Sequence, residues 1–283
     1  MKIIPGLKVF ITGAGSGIGR ATAIAMAERG AVLFLTDINQ KGLEETAKII
    51  SDKGGQVERF KAFDISDLSA VKAFADELHA EFGAMDIVMN IAGIALFALI
   101  EDMTHQHWQK VINVNLWGPI HIIECFLPKM IQAKKGYLLN VASIAGLAGP
   151  PWHSAYSVSK HGLVGLSEVL RYDLRQHHIG VTVVCPGGVD TPLKYTTEFL
   201  GTDRNSPPVQ RMIKRFEKAA VPPEKVARQI ISAIEKEKFL VITSFDVRFA
   251  YFCKKHLFPI YHLIMLYISK LLNSMHESKR PKT

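Results

Sequence analysis

Six short segments, 8–12, 32–36, 57–63, 85–90, 137–141 and 181–185, read as strands, the first of them buried. Helical stretches separate them: one closing near Arg29-Gly30, then about 40–53, 68–82 and 104–133, and one after Trp152. Strands alternating with helices predict an α/β fold, a doubly wound parallel sheet of Rossmann type covered on both faces. No internal repeat and no linker marks off a second domain within that pattern. Asn113, Asn115, Gly118 and Pro119 interrupt the long segment 104–133 and argue for a kink there.

The polar residues that matter follow the strands. The segment 8–12 runs into Gly13-Ala14-Gly15-Ser16-Gly17-Ile18-Gly19 and then a helix, the setting a dinucleotide-phosphate loop requires. The turn lets backbone approach a pyrophosphate, and the helix N-terminus offers N–H groups and positive dipole. The next strand closes on Asp37, placed to accept bonds from both adenosine ribose hydroxyls and to repel a 2′-phosphate. Ile38 and Ser16 are uncharged and no arginine is placed to welcome that phosphate, so NAD is expected over NADP. Asp64-Ile65 follows the third strand, where an adenine contact and a plain turn are both open readings. Asn90-Ile91-Ala92-Gly93 follows the fourth, with small residues for close passage of a cofactor or for a turn. Ser143 lies past the fifth strand and Pro186-Gly187-Gly188-Val189-Asp190-Thr191 past the sixth. Ligands of such sheets bind beyond the carboxyl ends of the strands, so these residues should meet in one crevice. Tyr156 and Lys160, four apart, would share a helix face. An ammonium beside a phenol favours the phenolate, which suits proton exchange with an alcohol or carbonyl.

Composition narrows the alternatives. At 283 residues with 48% hydrophobic and 21% charged content, the chain can bury a sizeable core. Cys125, Cys185 and Cys253 are few and far apart, which suggests a reducing, cytoplasmic setting without a disulfide framework. Cys125 and Cys185 are expected to be buried. The formal charge of +8 includes a basic tail of Lys279, Arg280 and Lys282. Without a basic run interleaved with aromatics, nucleic acid is not the expected partner. The histidines form no metal-binding spacing, and no metal is expected. Residues 1–7 have no long apolar segment, so no secretory leader is expected there.

Over roughly residues 5 to 242 the sequence resembles the short-chain dehydrogenase/reductase family. Thr12-Gly13-Ala14-Gly15-Ser16-Gly17-Ile18-Gly19 fits the family's glycine loop, and Asn90-Ile91-Ala92-Gly93 fits its Asn-Asn-Ala-Gly with Ile91 as the one departure. Pro186-Gly187-Gly188-Val189-Asp190-Thr191 fits Pro-Gly-x-Val-x-Thr. The resemblance implies a catalytic tetrad of Asn115, Ser143, Tyr156 and Lys160, with Asn113 a nearby competitor for the first role. It implies a cofactor site built from Gly13, Ser16, Gly17, Ile18, Gly19, Asp37, Asp64, Ile65, Asn90, Ala92, Gly93, Tyr156, Lys160, Pro186, Gly187, Val189 and Thr191. In this picture Tyr156 exchanges the proton, and Lys160 holds the nicotinamide ribose and lowers the tyrosine pKa. Ser143 orients the substrate oxygen, Asn115 holds a relay water, and Thr191 touches the carboxamide. Residues 193–219 would be the substrate lid. A homodimer or tetramer would form through about 104–133 and 153–177.

Ile94, Leu96, Phe97, Leu147, Pro150, Pro151 and Trp152 surround the implied site and suggest a small-molecule, lipophilic alcohol or ketone. The domain reading is 1–244 for the Rossmann unit and 245–283 for an apolar and basic C-terminal extension. Within 245–273 the apolar stretch is too short and broken to span a bilayer, and Lys254, Lys255, His256 and Lys270 flank it. Peripheral membrane contact, a subunit contact and a cover over the pocket all fit that pattern. The expected activity is NAD-dependent oxidation at a CH–OH group. Its rivals are an NADPH-dependent carbonyl reductase and a non-catalytic dinucleotide-sensing or membrane-interaction protein.

Overall fold

The computed structural model describes residues 1–277. β1 (Lys8–Thr12) is followed by α1 (Gly17–Ala27), β2 (Val32–Asp37), α2 (Gln40–Asp52), β3 (Gln56–Ala62), α3 (Leu68–Phe82) and β4 (Ile87–Asn90). Next come β5 (Leu96–Phe97), α4 (His105–Ile112), α5 (Gly118–Ala133), β6 (Gly136–Val141), α6 (Ser154–Asp173) and β7 (Ile179–Cys185). The remainder is α7 (Leu193–Thr196), β8 (Glu198–Phe199), α8 (Pro207–Ala219), α9 (Pro223–Glu235), β9 (Leu240–Ile242), α10 (Phe245–His256) and α11 (Phe258–Glu277).

Seven strands form one parallel sheet in the order β3-β2-β1-β4-β6-β7-β9. Alternate residues of each strand serve opposite faces. Val9 and Ile11 join Met26, Leu43 and Ile230 under α1, α2 and α9. Phe10 and Phe34 face the other way, into Phe74, Leu78 and Phe126 of α3 and α5. Phe10 stacks on Phe126 with ring centroids 4.3 Å apart. Burying each such side chain stabilises the fold by about 1.5–3 kcal/mol, which is why the strands read as near-continuous apolar runs. The chain departs from β1 to opposite sides, with β2 on one side and β4 on the other, and the switch point opens a crevice at the strands' carboxyl ends.

Three expectations need correction. The sheet has a seventh strand, β9, at the edge beside β7, whose Leu240-Val241-Ile242 is apolar but only three residues long. The kink expected near Pro119 is a π-helical turn, Asn113–Trp117, and the helix runs on beyond it. Pro119 follows that turn directly, and without an N–H it cannot bond the carbonyl four or five residues earlier, Asn115 O or Val114 O, so the helical ladder is interrupted where the kink was expected. Cys185 and Cys253 are buried, but Cys125 is only half-buried.

After β9 the chain does not leave the body. Tyr261 of α11 packs with Cys253 and Ala148, while Leu272 and Met275 pack on Trp152 and on Val209 of α8. Polar contacts pin the same face: Trp152 Nε1 donates to Asn273 Oδ1 at 3.1 Å, and buried His276 meets Asp102 at 2.8 Å. Ile268 and Leu272 of this segment line the pocket, as the reading of a cover has it. No helix among the described residues is long and apolar enough to cross a membrane. Lys279, Arg280 and Lys282 lie outside the described residues.

Candidate active site

The glycine turn between β1 and α1 is built by close approach. Gly13 adopts φ +69°, and a Cβ there would stand 2.8 Å from the Ala92 backbone. Thr12 holds that second loop in place, its hydroxyl accepting from the Ile91 and Ala92 N–H groups at 3.0 and 3.1 Å. Gly17 adopts φ +51°, and a Cβ on it would meet Thr191 Cγ2 at 2.9 Å, so the loop after β7 lies against the glycine turn. Ser16 caps α1 by position but makes no side-chain cap bond, leaving the first N–H groups of α1 to a ligand. Ile18 faces the cavity and Gly19 is buried within α1.

Asp37 closes β2 with both carboxylate oxygens held. Oδ2 accepts from Gly15 N–H and Oδ1 from Asn39 N–H, each at 2.8 Å. Contrary to the expectation from sequence, an arginine does stand near this loop. Arg20 donates to Gly15 O at 2.7 Å and Gly42 O at 3.2 Å, and it pairs with Glu45 at 2.7 Å. With Nε also donating to Thr46 Oγ1 at 3.0 Å, its guanidinium is engaged by four acceptors rather than held open for a phosphate.

Asp64 makes the turn contact, accepting from Ser66 N–H at 2.8 Å, while the Ile65 side chain sinks into the core against Gly118. Ile65 therefore has only main chain to present to a cofactor. The Asn90 side chain also points inward, donating to Asn140 Oδ1 at 2.9 Å, so its loop rather than its amide faces the crevice. Gly93 is where room is needed: a Cβ would lie 3.1 Å from Asn115 Oδ1 and 3.3 Å from Lys160 Nζ. Pro186 O accepts from Ile144 N–H at 2.8 Å, and Ser143, Gly187, Val189 and Thr191 all line one cavity.

Asn115, in the π turn, is fully buried and is the asparagine the site brings inward. Its Oδ1 accepts from Ile94 N–H at 2.9 Å and its Nδ2 donates to Ile94 O at 2.9 Å and to Ser159 Oγ at 3.3 Å. Asn115 thereby ties α6 to the loop after β4. Lys160 is buried, with Nζ donating to Val141 O at 3.1 Å and lying 5.8 Å from the Tyr156 ring centroid. Burial lowers its pKa to about 8, so it still carries a proton at neutral pH. Tyr156 differs from expectation: burial raises its pKa, and a hydrogen bond with Ser143 offsets only part of that rise. The protein's own groups do not make it a phenolate.

Ser143, Tyr156 and Lys160 line a cavity of about 400 Å³. Ile94, Phe97, Pro150 and Trp152 line it as expected, whereas Leu96, Leu147 and Pro151 do not. Leu96 and Leu147 are consumed in buried clusters under α4 and α6. The expected lid segment supplies Phe199, Met212, Ile213 and Phe216. Ile268 and Leu272 of α11 form part of the wall, in keeping with the pocket cover that was one reading of the tail, and His153, one residue before α6, was missed from sequence. His153 Nδ1 lies 2.6 Å from Pro151 O, and burial lowers its pKa to about 4, so the ring is neutral near pH 7. Its position next to Pro151 and Trp152 was the available signal.

A dinucleotide fits what is present: an uncapped helix N-terminus, two positive-φ glycines whose Cβ atoms would collide with neighbours, and an acid at the end of β2. Among the described residues no group of three His, Cys, Asp or Glu could hold a metal ion.

Comparison with known proteins agrees. A sequence model described as short chain dehydrogenase matches residues 8–198. The chain is 37% identical over 235 residues to "Probable oxidoreductase EphD" of Mycobacterium tuberculosis, covering 81% of this chain but only 40% of that protein's length. It is 32% identical to the 3-oxoacyl-(acyl-carrier-protein) reductase FabG of Thermotoga maritima, over 84% of this chain and 94% of the relative. A Burkholderia phymatum short chain dehydrogenase/reductase solved with NAD superposes with a TM-score of 0.83 at 27% identity, over 92% of this chain and 96% of the other. A metagenomic short-chain oxidoreductase solved with NADP gives 0.69 at 29% identity, over 86% and 100%.

Proposed function

This chain belongs to the short-chain dehydrogenase family of oxidoreductases, and we propose that it oxidises a lipophilic alcohol to a ketone or aldehyde with NAD. The observation that carries the proposal is the convergence of Ser143, Tyr156 and Lys160 on a cavity walled mainly by apolar side chains, with His153, Thr191, Lys194 and Thr197 as its other polar lining. Ser143 and Tyr156 hydrogen-bond the substrate oxygen and fix the carbon's orientation. Tyr156 removes the hydroxyl proton as a phenolate, and Lys160 stabilises that charge. The Lys160 ammonium and the positive ring of a bound nicotinamide would both work against the burial that raises the Tyr156 pKa. The bound nicotinamide supplies the hydride acceptor. Because the Asn115 amide is committed to Ile94 and Ser159, a relay water near Lys160 is held by main chain around it.

NAD preference rests on Asp37, whose carboxylate faces where a 2′-phosphate would come, and on Arg20 being neutralised by Glu45. The residues 1–244 act as the catalytic unit, and the extension that begins at 245 adds a wall to the cavity through Ile268 and Leu272 of α11. A homo-oligomer through α5 and α6 accounts for exposed Trp117, Val158, Val169 and Tyr172 beside or on those helices. A cytoplasmic setting suits three free cysteines. The Thermotoga relative's name, a reductase, favours ketone reduction as the second reading.

The test is a substrate series run in both directions with each cofactor. Faster NAD-linked oxidation as the alkyl chain lengthens supports the proposal. Turnover of small polyols alone rejects the lipophilic class, NADPH-only ketone reduction establishes the second reading, and cofactor binding without any turnover leaves a sensor.

A further inference from the structure

Helix α11 is apolar on two neighbouring faces, and only one of them packs on the body. Tyr261, Met265, Ile268, Leu272 and Met275 recur at three- and four-residue spacing and pack inward. A second stripe, Ile260, Leu263, Ile264, Tyr267 and Leu271, recurs at the same spacing and is exposed, with Leu263 at 66% and Tyr267 at 71%. Helix α10 repeats the pattern with exposed Phe245, Phe249 and Phe252. Contiguous apolar surface of this kind on a soluble fold marks an interaction site.

The charges around it identify the partner. α8 packs directly against α11 through Val209, Met212 and Ile213, and its outer side carries exposed Arg211, Lys214, Arg215 and Lys218. Lys255 and Lys270 are exposed on the two tail helices. From 245 to 283 the sequence has seven Lys or Arg against two acids. A second copy of the chain would set these like charges against one another, whereas an anionic lipid surface neutralises them while taking up the apolar stripe.

We propose that α8, α10 and α11 form a basic-rimmed apolar platform that docks on an anionic bilayer. The inner faces of α8 and α11 wall the catalytic cavity, so docking sets that cavity against the phase where lipophilic alcohols reside. Only this last consequence rests on the proposed activity. The docking itself does not.

The test uses the full chain with vesicles of phosphatidylcholine alone and of phosphatidylcholine mixed with phosphatidylglycerol, read by flotation. Binding to the mixed vesicles should exceed that to neutral ones by about tenfold or more and weaken with salt. Leu263→Glu with Tyr267→Glu should reduce it about tenfold, with melting temperature and NADH binding unchanged. Arg211→Glu with Arg215→Glu, which leaves the apolar stripe intact, should abolish the preference for anionic lipid and serves if the first variant misfolds. Failure of the wild type to float, or floating that neither variant weakens, overturns the proposal. A lipid-free dimer dissociated by Leu263→Glu, seen by sedimentation velocity, also overturns it in favour of self-association. Vesicle binding without alcohol turnover would sink the activity and leave the docking standing.

Discussion

Replacing Asp37 by Ala separates the cofactor argument from the fold argument. Its carboxylate holds Gly15 N–H and Asn39 N–H, each at 2.8 Å, at a half-buried position where water can replace it. Losing two bonds whose donors become hydrated should cost about 1–2 kcal/mol of stability, a shift of only a few degrees in Tm for a chain this long. Losing the acceptor for the ribose hydroxyls should cost NADH about 1.5–3 kcal/mol, or roughly 10- to 150-fold in Kd. NADPH should bind more tightly in the same variant, because a like charge has gone. Ile38 is 72% exposed beside it, so adding Ile38→Arg should bring NADPH in further without disturbing the core. Calorimetric titration of both reduced cofactors into wild type, Asp37→Ala and the double variant reads all of this. Equal affinity of the wild type for NADH and NADPH, or a change in NADH affinity of less than about twofold in Asp37→Ala, would refute the reasoning.

Tyr156→Phe should keep the fold and NADH binding while turnover falls about 10²- to 10⁴-fold, measured as kcat beside a melting curve. Lys160→Met should be inactive yet more stable than wild type by about 1–3 kcal/mol at pH 7, because it removes a desolvated ammonium. Lys160 has a folded pKa of about 8 against 10.5. The wild type therefore gains stability as pH rises from about 8 to 10.5, and the variant's advantage should vanish across that window in denaturant titrations. His153, lowered to about 4 from 6.5, contributes stability that is present above pH 6.5 and lost as pH falls through 4. His153→Phe should flatten that acid limb, seen as a smaller drop in Tm between the two pH values.

How much could be read from sequence followed from how sharply burial contrasts along each element. The central strands are enclosed on both faces, so Val9 to Ile11 and Val181 to Cys185 announce themselves. β9 is an edge strand of three half-buried residues, and β5 and β8 are two residues each, too short for any periodicity. The site was legible where chemistry demands a residue type, as at Gly13, Gly17, Ser143, Tyr156 and Lys160. Its depth was not. Whether Asn90 and Ile65 offer side chain or backbone depends on Asn140 and Gly118, which come from distant segments. The tail was ambiguous because both of its stripes are apolar, so hydropathy alone could not distinguish the face that packs from the face that is open. The charge states were the furthest out of reach, since desolvation of Tyr156 and Lys160 depends on everything packed around them.

The wall that α11 adds to the cavity has a consequence for biosynthesis. The residues proposed to hold the dinucleotide lie between Thr12 and Thr191, whereas Ile268 and Leu272 of the cavity wall are translated well afterwards. A domain folds as a unit, and Val226, Ile230 and Ile234 of α9 share one core with Val9 and Ile11, so the sheet is sealed on that side only after α9 has emerged. The cavity is completed later still, when α11 has been made and seated.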